Sequence, residues 1–318
     1  MRRSLITVLL LFLLAFGACR QTKSSGRQAD GKILVTSVIF PSYDFVRVIA
    51  GDKINDRIKL VMLLPPGTES HSYEPSPRDI ITIRESDLFI YPGGENTKWV
   101  DRILDSIKTP ESKMKIIKMM DLVETVKEEI VEGMEEDDDD TWPSYDEHVW
   151  TSPKNAKLIA ASIAESLCNL DNANAEYYRQ NASDYALRLD ELDASFRFIV
   201  DNAKRKTIVF GDRFPFRYLA DAYGLNYFAA FPGCASETEP SAATLAFLIN
   251  KVKTEQIPVV FHIELSNEKL ADTISEAAGA RKLLLHSCHN VTRKDFENGV
   301  NYLDLQRQNA EFLREALW

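Results

Sequence analysis

The sequence predicts an α/β protein of two similar lobes, each with a mainly parallel sheet flanked by helices, joined by one long rigid helix. From Lys32 onward, short β-branched runs alternate with amphipathic segments, a pattern typical of parallel sheets covered by helices. Near the middle of the chain, apolar residues from Tyr178 to Ala203 are spaced alternately four and three apart, which keeps one stripe on one face of a long helix. A chain of 318 residues is long enough for both lobes to bury a core.

The first residues are typical of an export signal. Met1-Arg2-Arg3 precede the apolar run Leu5–Phe16, which is too short to span a membrane stably. Small residues then lead into Cys19, similar to the bacterial lipobox, in which the cysteine is lipidated. We therefore expect a lipoprotein signal peptide at residues 1–18 and membrane attachment through a lipid on Cys19. Residues 19–31, rich in Ser, Gly, Lys and Gln, are expected to form a flexible tether.

Charge and cysteine content narrow the class of protein. The net charge is −10, and removal of residues 1–18 takes away two arginines, so the exported chain is acidic and a poor binder of nucleic acid. Cys168 lies on an apolar helix face and is expected to be buried. Cys234 and Cys288 both follow predicted strands. In an oxidising compartment, a disulfide between them is one alternative and free thiols are the other.

The N-terminal lobe is predicted to span residues 32–171. One of its helices has Ser76 as a natural N-cap and Pro77 at its first position. The predicted strands are Ile33–Phe40, Arg57–Leu64, Asp87–Tyr91 and Lys115–Met119, and the predicted helices are Tyr43–Ala50, Pro77–Arg84, Asn96–Ile107 and Asn155–Leu170.

A stiff loop carrying His71 follows the second of these strands. Residues 64–79 read LPPGTESHSYEPSPRD, in which two prolines and a glycine precede the histidine and fix an irregular backbone. The carboxyl end of a strand is where open α/β sheets place their ligand groups. The alternative for His71 alone is an ordinary surface histidine.

The segment 124–147 is strongly acidic. It holds twelve acidic residues against one lysine, including the run from Glu135 to Asp140. Such dense like charge predicts a solvated, mobile loop, which either has no role or attracts cations weakly beside a stronger site. This loop leads directly into His148.

The long helix is predicted to span residues 172–204. A coiled-coil dimer would explain its stripe, but the stripe is aromatic-rich and flanked by globular sequence, so we expect a rigid helix packed along both lobes of a monomer. The C-terminal lobe, residues 205–318, repeats the α/β alternation. Its predicted strands are Thr207–Phe210, Leu225–Ala230, Val259–Ile263 and Lys282–His286, and its predicted helices are Phe216–Tyr223, Ala242–Lys253, Glu268–Ala278 and one from about Phe296 to Leu317.

Polar side chains collect at the carboxyl ends of the predicted strands. They are His71, Asp212, Glu264 and His286, with His148 in the loop before the helical region. Imidazole with a carboxylate is the ligand set suited to Zn²⁺ and, with more oxygen, to Mn²⁺ or Fe²⁺. Because these residues come from distant parts of the chain, a metal bound by them would bridge the lobes.

Three motifs resemble one known family. They are PPGTESHSYEPSPRD (65–79), EHVWTSP (147–153) and FGDRFPFRYLADAYGL (210–225). They are similar to the metal-binding lipoproteins of zinc and manganese ABC transporters, the cluster A-I solute-binding proteins. The resemblance implies a single ion held between two lobes by four side chains, and delivery of that ion to a membrane permease.

The resemblance also implies which side chains hold the ion. His71 and His148 match the two ligand histidines of the N-terminal lobe. In the C-terminal lobe Asp212 occupies the place of the third ligand, although it could instead cap a helix or pair with Arg213. His286 stands at the place of the fourth ligand, with His289 close enough to compete. The other residues considered are Glu237 and Glu239, which could supply an oxygen, Glu264, which could orient an imidazole, and His262, which lies within a strand.

The expected function is extracytoplasmic capture of a divalent metal for import, at the periplasmic or extracellular face of the cell envelope. Three imidazoles and one carboxylate favour zinc over manganese, which prefers more oxygen ligands. A manganese- or iron-binding member of the same family is the nearest alternative. A metallohydrolase would need an open metal position and a general base, for which no motif is present. A surface adhesin would use the outer faces.

Overall fold

The computed structural model describes residues 31–70, 73–107, 112–134, 144–235 and 239–318. His71 and Glu237 lie outside these ranges, as do the expected signal peptide, Cys19, nearly all of the tether and the acidic run 135–140. Residues Lys32–Trp318 form one unit of the chain, and the architecture below is that of this unit.

The N-terminal lobe is built on a sheet of four parallel strands. Their order is β2-β1-β3-β4. Ile33 of β1 lies opposite Ile58 of β2, and Tyr91 of β3 lies opposite Lys118 of β4. β3 is buried along its whole length, as expected for a parallel strand covered on both faces. The strands are β1 (Ile33–Ser37), β2 (Ile58–Met62), β3 (Leu88–Tyr91) and β4 (Lys115–Lys118), and the helices are α1 (Phe40–Ala50), α2 (Pro77–Glu85) and α3 (Lys98–Ile107).

The start of α2 confirms its predicted cap. The Ser76 hydroxyl accepts the N–H of Asp79, and the Asp79 carboxylate accepts the N–H of Ser76 at 2.8 Å. This capping box satisfies two backbone donors that the helix itself leaves unpaired. It fixes where the loop after β2 ends.

The C-terminal lobe repeats the design with a second parallel sheet, in the order β10-β9-β5-β7, beside a small parallel pair of β6 and β8. Its strands are β5 (Thr207–Phe210), β6 (Arg213–Phe214), β7 (Asn226–Phe228), β8 (Phe231–Pro232), β9 (Val259–His262) and β10 (Arg281–Leu284). Its helices are α6 (Arg217–Tyr223), α7 (Ala242–Thr254), α8 (Lys269–Ala278), α9 (Arg293–Glu297) and α10 (Tyr302–Leu317). The two-lobed α/β class predicted from the sequence is thereby confirmed.

The C-terminal helix is not continuous, contrary to the prediction. Gly299 adopts φ +73°, a left-handed conformation that ends α9, and the Asn301 side chain accepts the N–H of Asp304 at 3.0 Å to cap α10. The break lets α10 set off as a separate helix. At its first residue, Tyr302 donates its backbone N–H to buried Asp44 of α1 at 2.8 Å.

Two long helices lie at the middle of the chain, and the second of them joins the lobes. They are α4 (Pro153–Leu170) and the 27-residue α5 (Ala175–Asp201), which packs against α4, against α1 of the N-terminal lobe and against α10 of the C-terminal lobe. The apolar stripe of α5 is therefore covered within one chain, as expected for a helix packed along both lobes. Its buried members are Tyr178, Tyr185, Leu189, Leu192, Phe196 and Ile199. Among the described helices, none combines the length and the apolar character needed to cross a bilayer.

The described flanks of the acidic segment are ordered, which corrects the prediction of a solvated loop for this part. Glu128 donates its N–H to the carbonyl of Ser144 at 2.8 Å, and Asp146 donates to the carbonyl of Val126 at 2.9 Å. Glu128 is only 4% exposed. Composition alone predicts solvation, but antiparallel pairing of the flanks buries part of the segment beside the second lobe.

Candidate metal centre

Loops from both lobes meet around a small cavity of about 20 Å³, which is room for about one water-sized particle. The N-terminal lobe contributes the loop after β2 and His148. The C-terminal lobe contributes the turn after β8, the loop after β9 and the loop after β10. The walls include Thr68, Glu69, Ser70, His148, Gly233, Glu264, Leu265, Ser287 and His289.

His148 stands where the ordered acidic segment ends and a 3₁₀ turn begins. The Asp146 carboxylate accepts the backbone N–H of His148 at 2.7 Å and lies 3.1 Å from its Nδ1. Burial by itself lowers the pKa of His148, but the Asp146 carboxylate more than offsets this and the pKa rises to about 8. In the neutral imidazole Nδ1–H is directed at the carboxylate and Nε2 carries the lone pair that a metal ion would take, so metal binding would displace the Nε2 proton.

His289 faces His148 from the other lobe. The two ring centroids are 5.3 Å apart and the rings are nearly perpendicular, at 80°. His289 is held by its backbone N–H, which donates to Glu264 at 3.0 Å, and its Nδ1 lies 3.2 Å from the hydroxyl of Ser70. The ring of Trp150 packs edge-on against both imidazoles. The structure therefore brings an imidazole of each lobe to one cavity.

Glu264 organises the loop that carries His289. Its carboxylate accepts the N–H of Ser287 at 2.7 Å and the Ser287 hydroxyl at 2.6 Å, in addition to the N–H of His289. The contact of Glu264 with His289 is to the backbone N–H, so it fixes the loop and does not touch the imidazole ring of His289. Leu265 and Cys288 both have positive φ, at 58° and 62°, and such strain costs on the order of 1–3 kcal/mol per residue. Backbone strain at Leu265 and Cys288 is typical of loops that the surrounding structure holds in one conformation at a binding site.

Asp212 does not lie on the wall of this cavity. Its carboxylate accepts the N–H of Arg213 at 2.8 Å, the N–H of Ile263 at 3.2 Å and the hydroxyl of Ser266 at 2.5 Å. Burial raises the pKa of Asp212, and these hydrogen bonds act against that rise. In this geometry the side chain ties the end of β5 to the end of β9.

His286 is likewise engaged away from the cavity. Its Nδ1 accepts the N–H of Cys288 at 2.9 Å and lies 3.5 Å from Glu264, and its backbone is bonded on both sides by the Asn309 amide. His289, three residues further along, is the one that shares the cavity with His148. His262 directs Nδ1 at the carbonyl of Ile263, and Glu239 is exposed.

Two carboxylates beside His148 were not singled out from the sequence. Glu147 is buried and accepts the backbone and side-chain N–H groups of Asn96, each at 3.2 Å. A Glu147 oxygen, a His148 nitrogen and a His289 nitrogen lie within 4.8 Å of one another. The signal for Glu147 in the sequence is its place as the first residue of the motif EHVWTSP, directly before His148.

Glu128 is the other carboxylate, and its partner is Cys234. It accepts the N–H of Cys234 at 2.9 Å. Burial, followed by the charge of Asp146, raises the pKa of Glu128 to about 7. Glu128, His148 and Cys234 form a second trio whose ligand atoms lie within 4.8 Å of one another.

The three described cysteines are all free thiols, so the Cys234–Cys288 disulfide considered from the sequence is not formed. The sulfur of Cys288 is buried 3.5 Å from Gln306 of α10, whereas that of Cys234 faces Glu128 and His148. Cys168 is buried as expected, in contact with the carbonyl of Ala175.

A two-lobed α/β fold, with imidazoles from both lobes and buried carboxylates at the junction, defines a class of metal-binding proteins. The chain belongs to the family described as ZnuA, zinc-uptake complex component A, periplasmic, whose model matches residues 35–316. The resemblance found in the three sequence motifs is confirmed.

Named relatives agree with this membership. The zinc-binding lipoprotein AdcA of Streptococcus pneumoniae is 32% identical over 301 residues, which cover 92% of this chain and 57% of the relative, so the chain spans a little over half of that protein. The high-affinity zinc uptake system protein ZnuA of Bacillus subtilis is 30% identical and is covered over 97% of its length. The crystal structure of the Zn(II)-bound ZnuA-like domain of S. pneumoniae AdcA matches with a TM-score of 0.73 and 30% identity, over 90% of this chain and 99% of that domain.

Proposed function

We propose that this protein captures Zn²⁺ outside the cytoplasm and delivers it to an ABC transporter permease. The observation that carries the proposal is the pair of imidazoles, His148 and His289, which come from opposite lobes and face each other across one cavity. A site with ligands on both lobes can hold a single ion tightly, and a small separation of the lobes would release that ion.

The ligand assignment follows from chemistry and position. His71 and His148 are the histidines of the N-terminal motifs, and His289 is the imidazole of the C-terminal lobe that reaches the cavity. Glu147 supplies the carboxylate nearest to both described imidazoles. We prefer His289 to His286, because Nδ1 of His286 already accepts a backbone N–H. Asp212 is assigned to holding the ends of β5 and β9 together, because its carboxylate oxygens already accept three hydrogen bonds.

Zinc fits this set better than manganese. Three imidazoles and one carboxylate suit a tetrahedral ion, whereas Mn²⁺ prefers more oxygen and higher coordination. The names of the relatives point the same way, since AdcA is a zinc-binding lipoprotein and ZnuA a high-affinity zinc uptake protein. An exported monomer anchored through a lipid on Cys19 would hold the ion beside the permease.

We propose a binding role without catalysis. A metallohydrolase needs an open metal position and space for its substrate, and small-molecule sites commonly measure about 300–1,000 Å³. The cavity here is about 20 Å³. Such a site encloses an ion and excludes a peptide or an ester.

The decisive experiment is a metal assay of the purified full chain, followed by competitive titration with Zn²⁺ and Mn²⁺. We expect one tightly bound zinc per chain that manganese does not displace. His148→Ala and His289→Ala should each weaken zinc binding by more than about a hundredfold, because even partners that only orient a ligand cost about 10–100-fold. His262→Ala is the matched control, since that imidazole lies off the cavity wall. Unchanged binding in both site variants would overturn the assignment.

Delivery is a separate step and needs a cellular readout. In a strain lacking this gene, growth under zinc limitation should be restored by the wild-type chain and by His262→Ala. It should not be restored by His148→Ala. Restoration by a chain that binds no zinc would contradict the proposed role in import.

A further inference from the structure

We propose that the thiolate of Cys234 is a zinc ligand at a second ion position, formed with Glu128 and His148 next to the interlobe cavity. This inference rests on the proposed function, since His148 is common to both positions. It adds a soft sulfur donor to a site that the sequence motifs describe in terms of nitrogen and oxygen alone.

Geometry supports the second position. One oxygen of Glu128, one nitrogen of His148 and the sulfur of Cys234 all lie within 4.8 Å of one another. Ligand atoms around a tetrahedral zinc are roughly 3.5 Å apart, from metal–ligand distances of about 2.0–2.3 Å, so modest rotamer changes would close the trio on an ion. The three residues come from three separate segments of the chain, and the fold alone brings them together.

The turn that carries Cys234 is shaped to reach Glu128. A Cβ on Gly233 would lie 2.9 Å from the carbonyl oxygen of Phe214 and 3.1 Å from an oxygen of Glu128, so a side chain there would push the turn away. The absence of a side chain lets the Cys234 N–H donate to Glu128 at 2.9 Å. The pairing of β6 with β8 sets the position of this turn.

Buried acidic groups surround the second position. Glu128 and Asp146 are 4% and 1% exposed, and Asp146 is paired with His148 at 3.1 Å. Buried carboxylates are costly unless a positive charge compensates them. A divalent ion between Glu128, His148 and Cys234 would add positive charge beside these carboxylates and would release the thiol proton to solvent.

The consequence is selectivity for thiophilic ions. Thiolate ligands favour Zn²⁺ over Mn²⁺, which takes oxygen ligands. An ion moving from the trio of Glu147, His148 and His289 to the trio of Glu128, His148 and Cys234 would keep His148 as a shared ligand. The second position would therefore hold zinc and reject manganese.

Cobalt(II) replaces zinc and reports on sulfur directly, because a cobalt–thiolate bond gives an intense charge-transfer absorption in the near ultraviolet. We would titrate the full chain with Co²⁺ and compare it with Cys234→Ser and with Cys168→Ser, which removes a buried thiol of α4 remote from the site. Glu128→Gln, which keeps the shape of the side chain, provides a second variant. Zinc protection of Cys234 against alkylation, read by mass spectrometry, is an independent measurement.

We expect the charge-transfer band in the wild type and in Cys168→Ser, and its loss in Cys234→Ser, which should still bind one Co²⁺ at the interlobe trio. Glu128→Gln should weaken the band, and zinc should protect Cys234 from alkylation in the wild type. Binding of one Co²⁺ without the band, or a band that survives Cys234→Ser, would overturn the inference and leave the proposed function standing. Failure of the wild type to bind either Co²⁺ or Zn²⁺ would defeat the proposed function itself.

Discussion

The indole Nε1–H of Trp150 donates to the carbonyl of Ser287 at 2.8 Å, so a residue two positions after His148 holds the loop that carries His289. The carbonyl of Trp150 in turn accepts the hydroxyl of Tyr302 at 2.6 Å. All three residues are buried. The two facing imidazoles are thus fixed relative to each other by protein contacts before an ion enters, which lowers the entropic cost of binding.

Replacing Trp150 with phenylalanine tests this contact between the lobes. Trp150→Phe leaves the buried Ser287 carbonyl without its donor, which should lower the free energy of unfolding by about 1–3 kcal/mol. It should also weaken zinc binding, because the His289 loop loses its tie to the His148 loop. Urea unfolding of the metal-free chain and a zinc titration measure the two effects.

Trp318→Phe is the matched control for that substitution. Trp318 also donates through Nε1, to the carbonyl of Ile199 at 2.9 Å, but the residue is 40% exposed and lies away from the cavity. Water can replace the lost bond there, so a smaller loss of stability and unchanged zinc affinity are expected. Equal zinc affinities for the two variants would show that the Trp150 bond does not organise the site.

Asp146→Asn tests how His148 is oriented. The amide can accept the backbone N–H but no longer presents a charge to Nδ1, so the imidazole becomes a weaker ligand. Removing such a partner typically lowers metal affinity by about 10–100-fold. Isothermal titration in competition with a chelator measures the change. Asp190→Asn, which removes the α5 carboxylate of an exposed ion pair with Lys157 of α4, should leave affinity unaltered.

Much of the secondary structure could be predicted, because strands such as β1 (ILVTS) and β9 (VVFH) are short runs rich in β-branched residues and the apolar residues of α5 form one stripe. The short strands β6 and β8 were not predicted. The failures have local causes. The C-terminal helix breaks at Gly299, whose left-handed backbone overrides an otherwise helical pattern. Glu128 was assigned to a solvated loop, since composition does not show that its segment pairs with Ser144 and buries the carboxylate.

The candidate site was more predictable in the N-terminal lobe than in the C-terminal lobe. His148 was singled out from its motif, and it lies on the wall of the interlobe cavity. In the C-terminal lobe, His286 and His289 both follow β10, and the sequence does not show which of the two imidazoles turns toward the cavity. Which imidazole faces the cavity depends on the positive φ of Cys288, which lies between them, and on the hydrogen bond that Glu264 accepts from the backbone N–H of His289.

Asp171 provides a prediction about pH. It lies between α4 and α5, and its carboxylate accepts hydrogen bonds from Asn174 and from the hydroxyl of Tyr178, each at 2.8 Å. Burial tends to raise the pKa of Asp171, but these bonds and Arg57 outweigh it and the pKa is lowered. Because the folded value lies below the unfolded value of about 3.9, the stabilisation is present above about pH 4 and is lost as the pH falls through the folded pKa.

Asp171→Asn should therefore lower the free energy of unfolding at pH 7, by about 1.5–3 kcal/mol for hydrogen bonds to a charged group. The difference from the wild type should shrink as both proteins are acidified below about pH 4. Chemical denaturation across this range measures it. Asp190→Asn, at an exposed ion pair, should cost at most about 1 kcal/mol at pH 7. A gap between wild type and Asp171→Asn that persists at low pH would assign the effect to packing.

The two histidines after β10 give the sharpest test of the site. His289→Ala removes the imidazole that faces His148 at 5.3 Å, and zinc affinity should fall by more than about a hundredfold. His286→Ala removes an imidazole whose Nδ1 accepts the N–H of Cys288, so the loop should lose stability while zinc affinity changes far less.

The two effects can be separated by measuring unfolding with and without zinc. Zinc stabilises the folded chain in proportion to the logarithm of its affinity, so the increment in free energy of unfolding on adding zinc should survive in His286→Ala and collapse in His289→Ala. The metal-free His286→Ala should be the less stable of the two, since it leaves the N–H of buried Cys288 without an acceptor. If the increment instead collapsed in His286→Ala and survived in His289→Ala, His286 would be the ligand. The loop after β10 would then have to turn when zinc binds.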